Sequence, residues 1–133
     1  MNDIVSLLRK HGYRVTPQRL AICEYVLKAR NHPTAKDVYR EVKKRHPAIS
    51  MTTIYQTLKI LEDLNLIRKL PFDDTRIESN LRPHINLICL KCGKIEDLES
   101  DVVKVVIDEV VRRGFKIASE RVDVFGYCRN CKK

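Results

Sequence analysis

Two pairs of cysteines, Cys89-x-x-Cys92 and Cys128-Arg-Asn-Cys131, constrain this chain more than any other feature of it. Two sulfurs spaced by two residues in a tight turn take two corners of a tetrahedron, and a second pair completes it. Four thiolates suit Zn2+ and leave no open position on the ion, so the expected role is architectural. The 35 residues between Cys92 and Cys128 exceed what a compact zinc ribbon uses, so the centre should staple a strand pair to the end of the chain. Redox-active thiols or a disulfide are the competing readings, and the doubled motif favours the metal over both. The fifth cysteine, Cys23, lies on an apolar helix stripe with Leu20 and Leu27 and reads as a small buried hydrophobe.

The first cysteine pair ends a short apolar run, Leu87-Ile-Cys-Leu90, that reads as a buried strand over 85–90. His84 and Asn86 are two apart on it, so both point to one face and can hold a second, weaker ion. Gly93 and a short strand over 94–97 follow. Ser100 or Asp101 then caps a helix carrying Val102, Val103, Val105, Val106, Val110 and Val111 and ending at Gly114. So many β-branched residues make packing, not propensity, the support of that helix. Residues 115–127 read as one long strand with Ile117, Val122 and Val124. The second half is therefore a small α/β lobe whose apolar surface suits dimerisation.

The first half has a different character. Ile4, Leu7 and Leu8 mark a helix from Asn2 to Lys10, closed by Gly12. Thr16-Pro17 opens a second helix, running to about Arg30, with Leu20, Cys23, Tyr25 and Leu27. After His32-Pro33, Thr34-Ala-Lys-Asp37 resembles a capping box ahead of an inward stripe of Val38 and Val42. Ser50 caps the next helix, with Ile54, Leu58 and Leu61 facing the core and Asn65 stopping it. Its other side presents Thr52, Thr53, Tyr55, Gln56 and Lys59, groups able to hydrogen-bond bases and phosphates. A hairpin of Leu66–Phe72, a turn at Asp73-Asp74-Thr75 and a return over Arg76–Ser79 reads as a wing.

The expected fold is α+β: an N-terminal winged helix-turn-helix over 1–79, then an α/β dimerisation lobe with a four-cysteine zinc site over 80–133. Charge supports double-stranded DNA as the partner of the first lobe. The net charge is +9, and residues 1–70 hold 14 Lys and Arg against 6 Asp and Glu, whereas residues 71–133 hold 12 against 11. Arg14 and Arg19, near the start of the second helix, are further candidates for phosphates or the minor groove. Apolar runs of a few residues exclude a membrane-spanning helix, and Met-Asn-Asp-Ile-Val is no signal-peptide leader, so a cytoplasmic protein is expected.

Arg14-Val-Thr-Pro-Gln-Arg19, His32-Pro-Thr-Ala-Lys-Asp37, Ser50-x-x-Thr-Ile-Tyr55 with Leu58 and Leu61, and the double C-x-x-C together resemble the ferric uptake regulator (Fur) family from about residue 8 to the last cysteine. The resemblance implies a homodimeric winged-helix regulator, a repressor by family habit, whose DNA affinity depends on a regulatory metal. It places that metal on His32, Glu78, His84, Asn86 and Asp97. Imidazole and carboxylate ligands suit Fe2+, Mn2+, Zn2+ or Ni2+. The family usually carries His-x-His where this chain has His84-x-Asn86: either the weaker amide oxygen ligates and shifts the preference toward Fe2+ or Mn2+, or Asn86 only hydrogen-bonds a ligand from behind. Glu78 matches iron-sensing members, where peroxide-sensing ones usually carry Asp. The further metal site that some members build on this lobe is not evident, since Ile85 and Ser119 stand near where its ligands are expected.

Two other readings remain open on the sequence. A peroxide-sensing member would use the same site through metal-catalysed histidine oxidation. A constitutive DNA-binding protein would carry the structural zinc alone. An enzyme is not expected, since there is no glycine-rich phosphate loop and no nucleophile elbow, and no small-molecule substrate is implied.

Overall fold

The structure, a computed structural model, describes residues 2–132; Met1 and Lys133, the outer ends of the two expected lobes, lie outside it. The chain divides into two compact units, Met1–Leu81 and Arg82–Lys133. No helix among the described residues is long and apolar enough to cross a membrane.

The first unit contains α1 (Asn2–Lys10), α2 (Pro17–Lys28), α3 (Ala35–Lys43), α4 (Met51–Asp63), and the antiparallel strands β1 (Arg68–Leu70) and β2 (Asp73–Glu78). α2, α3 and α4 begin where side chains replace the missing backbone partners of a helix start. Thr16 Oγ1 accepts from Arg19 N at 3.1 Å with Pro17 in the first turn, and Ser50 Oγ accepts from Thr53 N at 3.2 Å. At α3 the capping box is reciprocal: Asp37 N donates to Thr34 Oγ1 at 3.1 Å and Thr34 N donates to Asp37 Oδ2 at 2.9 Å. The Thr34 backbone N–H holds the Asp37 carboxyl below its ordinary range. Thr34→Ala should therefore lower the unfolding free energy of this unit by about 1 kcal/mol, read by urea denaturation.

The core joins Ile4 and Leu8 of α1 to Ile22, Cys23 and Val26, to Val38 and Val42, and to Ile54, Leu58 and Leu61 of α4. On α2 the buried set is thus Ile22, Cys23 and Val26, whereas the expected Leu20, Tyr25 and Leu27 pack half-buried around it. Cys23 is fully buried, and burial pushes its thiol up to about 11, which makes it inert. α2 ends at Lys28 rather than Arg30 because Ala29 is extended and the Arg30 guanidinium bonds the Leu27 and Ala29 carbonyls. α4 stops as expected at Asn65, which adopts the left-handed region at φ 59.

The wing turns earlier than expected. Leu70 pairs with Asp73, so the turn is Pro71-Phe72, and Asp73-Asp74-Thr75 belongs to β2. Pro71 has its φ preset for a turn and no N–H to pair, whereas Asp73 Oδ1 takes its hydrogen bonds from Thr75 within the strand.

The second unit is a sheet of β3 (Ile85–Cys89), β4 (Ile95–Leu98) and β5 (Val122–Gly126), ordered β4-β3-β5, with α5 (Asp101–Arg112) leading into β5. β3 runs antiparallel to β4 and parallel to β5. The long strand expected over 115–127 is only β5. Its pairing starts at Ile85↔Val122, so residues before Val122 have no ladder on β3 to join. Ser100 caps α5 through Val102 N at 3.2 Å. Among the described residues of α5, Val103 alone is buried, while Val102, Val105, Val106 and Val111 are more than half exposed.

Candidate metal centres and nucleic-acid surface

The four cysteines converge. Their sulfurs all lie within 4.8 Å of one another, and Cys92 Sγ is 3.8 Å from Cys128 Sγ. Zinc–sulfur bonds of about 2.3 Å in a tetrahedron set neighbouring sulfurs about 3.8 Å apart, so the donor set fits zinc. β3 ends in the first pair and β5 runs into the second, and Leu90 N donates to Gly126 O at 2.8 Å between them. The Cys89 sulfur accepts the backbone N–H of Cys92 at 3.5 Å and of Cys128 at 3.3 Å. These donors hold the Cys89 thiol down to about 6. Cys131, whose thiol hydrogen-bonds the Cys128 side chain, is pushed up to about 12. Four crowded thiols do not all ionise unless a cation sits among them.

The residues expected to hold the regulatory ion fall in both units. In the first, His32 Nε2 lies 3.9 Å from Glu78 Oε1, and both side chains are buried. His32 has φ 53, a left-handed conformation that costs a non-glycine residue about 1–2 kcal/mol. Arg76 of β2 enforces it, donating through Nε to the His32 carbonyl and through Nη2 to Asn31 O at 3.1 Å. Arg68, paired opposite Glu78 in the wing, donates to its other oxygen at 2.5 Å. The wing thereby fixes both His32 and Glu78.

In the second unit, Asn86 of β3 stands opposite Asp97 of β4 and Asp123 of β5, so the three share one face of the sheet with His84. His84 Nδ1 lies 2.6 Å from Arg82 O, an acceptor, and so carries a proton. Its Nε2 is 3.0 Å from Asn86 Oδ1 and 3.8 Å from Asp97 Oδ1. A histidine anchored through Nδ1–H to a carbonyl, with Nε2 turned toward oxygen ligands, is the arrangement metal sites use. Buried imidazole and carboxylate in each unit thus match the chemistry of a divalent cation. The sequence did not single out Arg68, Arg76, Arg121 or Asp123.

Of the expected DNA-contacting residues, Thr52, Tyr55, Gln56 and Lys59 of α4 are exposed, Tyr55 by 57%. Thr53 is half-buried, with its hydroxyl 3.1 Å from that of Ser50. Lys59 lies 3.8 Å from Asp63. Arg14 is exposed, and Arg19 Nη1 donates to its carbonyl at 2.6 Å, which makes Arg19 a strut for the α1–α2 connection. α3 and the Lys44 that caps it add exposed Lys36, Arg40, Lys43 and Lys44, a basic row not expected from the sequence, lining a shallow depression with Met51 at the start of α4.

The chain resembles known proteins along nearly all its length. It is 34% identical to the peroxide-responsive repressor PerR of Staphylococcus epidermidis, over all of this chain and 91% of that one. A zinc-bound manganese uptake regulator superposes with a TM-score of 0.69 at 28% identity, covering 92% of this chain and 96% of the other. The Helicobacter pylori ferric uptake regulator, described as having three functional metal binding sites, shares the fold with a TM-score of 0.81 at 21% identity, over 99% of this chain and 91% of its own. The profile of the ferric uptake regulator family matches residues 10–125, and the chain belongs to that family.

Proposed function

We propose that this family member is a metal-dependent DNA-binding transcriptional repressor, with His32, Glu78, His84, Asn86 and Asp97 as the donor set of its regulatory ion. One observation carries the reading: each unit buries an imidazole facing a carboxylate, His32 with Glu78 and His84 with Asp97. Such pairs are expensive to bury without a purpose beyond packing. A divalent ion, Fe2+ or Mn2+ by preference, supplies charge that holds these donors together when bound. Ligands drawn from both units bind it well only in the arrangement that brings them together, so the ion selects that arrangement. Cys89, Cys92, Cys128 and Cys131 hold a structural Zn2+ apart from this switch.

The exposed valines of α5 are the surface on which two copies pair, because a face this apolar is poorly tolerated by a lone soluble unit. A symmetric dimer then presents two α4 helices to successive major-groove faces of a duplex operator. Tyr55 contacts a base edge, with Thr52, Gln56 and Lys59 beside it. Arg14 and the basic row on α3 meet phosphates, and Thr53 and Arg19 support α4 and α2 from behind. The protein acts as a cytoplasmic regulator and catalyses no reaction.

Selection of duplexes from a random pool tests the reading. A sequence should be enriched with Mn2+ present and lost with chelator, and enrichment indifferent to metal would contradict it. On the selected duplex, Tyr55→Ala should weaken binding about tenfold, measured by fluorescence anisotropy. The kinship to a peroxide-responsive repressor supports a second use of the same site. Hydrogen peroxide added to Fe2+-loaded protein separates the two: a peroxide sensor gains an oxygen atom on His32 or His84 and releases DNA, and an iron sensor does not.

A further inference from the structure

The row Asp97–Asn86–Asp123 across the sheet is asymmetric in a way that bears on the one unusual donor of the site. The Arg121 guanidinium grips the Asp123 carboxylate with both arms, Nε to Oδ2 at 3.2 Å and Nη2 to Oδ1 at 3.2 Å. Both side chains are mostly buried, 20% and 16% exposed. Asp123 Oδ1 in turn accepts from Asn86 Nδ2 at 3.0 Å. A carboxylate only accepts, so the NH2 end of the Asn86 amide must face it and the carbonyl end must face away. That end, Oδ1, lies 3.0 Å from His84 Nε2.

We propose that Asp123, oriented by Arg121, is the positioning residue that makes Asn86 a metal ligand. Only the oxygen of a carboxamide coordinates a cation; its nitrogen presents hydrogens. An unanchored Asn turns its amide over easily, and a turned amide would set those hydrogens beside His84 Nε2. A histidine at this position would likewise need a partner to fix its ring orientation, as the Arg82 carbonyl does for His84. Asp123 is thus the partner that lets the weaker amide take the place of an imidazole. The inference rests on the proposed regulatory site and adds to it a residue that does not itself touch the ion.

The test is a Mn2+ titration of zinc-loaded, otherwise metal-free protein, with free Mn2+ read by electron paramagnetic resonance. Asp123→Asn should weaken Mn2+ binding about 10- to 100-fold, the usual effect of removing a partner that orients a ligand. Asn86→Ala should weaken it similarly. In the Asn86→Ala background, Asp123→Asn should cost less than about twofold more, since it acts through Asn86. A purely structural role would give equal losses in both backgrounds, and a directly ligating Asp123 would keep its full effect without Asn86; either result overturns the proposal. In metal-free protein the Asn86 side-chain NH2 resonances should move with Asp123→Asn, and unmoved resonances contradict the contact. If Asp123→Asn loses its zinc and misfolds, Arg121→Gln should show the weaker form of the same loss, and Mn2+ affinity unchanged in that variant would sink the idea. Wild-type protein that binds no Mn2+ removes the regulatory site and this inference together. Binding that depends on His84 but ignores Asp123 removes the inference alone.

Discussion

Cys92→Ser protein should purify without zinc, with its second unit unfolded. The reason lies in how little else holds residues 82–132. The sheet has strands of four or five residues, and Val103 alone among the described residues of α5 is buried. A unit this small lacks the buried apolar area to offset chain entropy and needs a staple. Zinc bound by four thiolates contributes on the order of 10–16 kcal/mol, more than the whole stability of a typical domain. Amide spectra of the variant should keep dispersed signals from α1–α4, with the β3–β5 signals collapsed. A Cys92→Ser protein with a native second unit and no zinc would show the centre to be dispensable.

His84→Ala protein should retain its zinc but respond to no regulatory metal. His84 is 4% exposed and is the donor at which Asn86, Asp97 and the Arg82 carbonyl converge. Metal-linked changes in affinity are typically 5- to 150-fold, corresponding to about 1–3 kcal/mol of coupling. In the variant the ratio of DNA affinities with and without Mn2+ should fall to about one. Full metal dependence in His84→Ala protein would place the regulatory ion elsewhere.

Much of this was legible in the sequence because the signals are local. Thr16 before Pro17, Thr34 with Asp37, and Ser50 before Thr53 satisfy backbone donors within three residues, and each opens a helix where its spacing says it should. The cysteine pairs declare themselves in the same way. What the sequence hid depends on register between distant segments. Asp123 meets Asn86 because β5 runs parallel to β3 with Asn86 opposite it, a pairing across 37 positions that no local pattern encodes. Arg68 reaches Glu78 through the register of the wing, and Arg76 reaches the His32 carbonyl from 44 residues away. The long strand expected over 115–127 failed for the same reason: residues 115–121 hold strand-forming Phe115 and Ile117, but β3 is used up before it reaches them.

On the proposed reading a second divalent ion, distinct from the zinc, sets the affinity of this protein for DNA. The direct measurement is the dissociation constant for the selected duplex as Mn2+ or Fe2+ is titrated into protein that keeps its zinc and has been stripped of other metal. Affinity rising at least about fivefold and saturating with bound metal is the predicted result. A constant affinity across the whole titration, with the zinc in place, would contradict it.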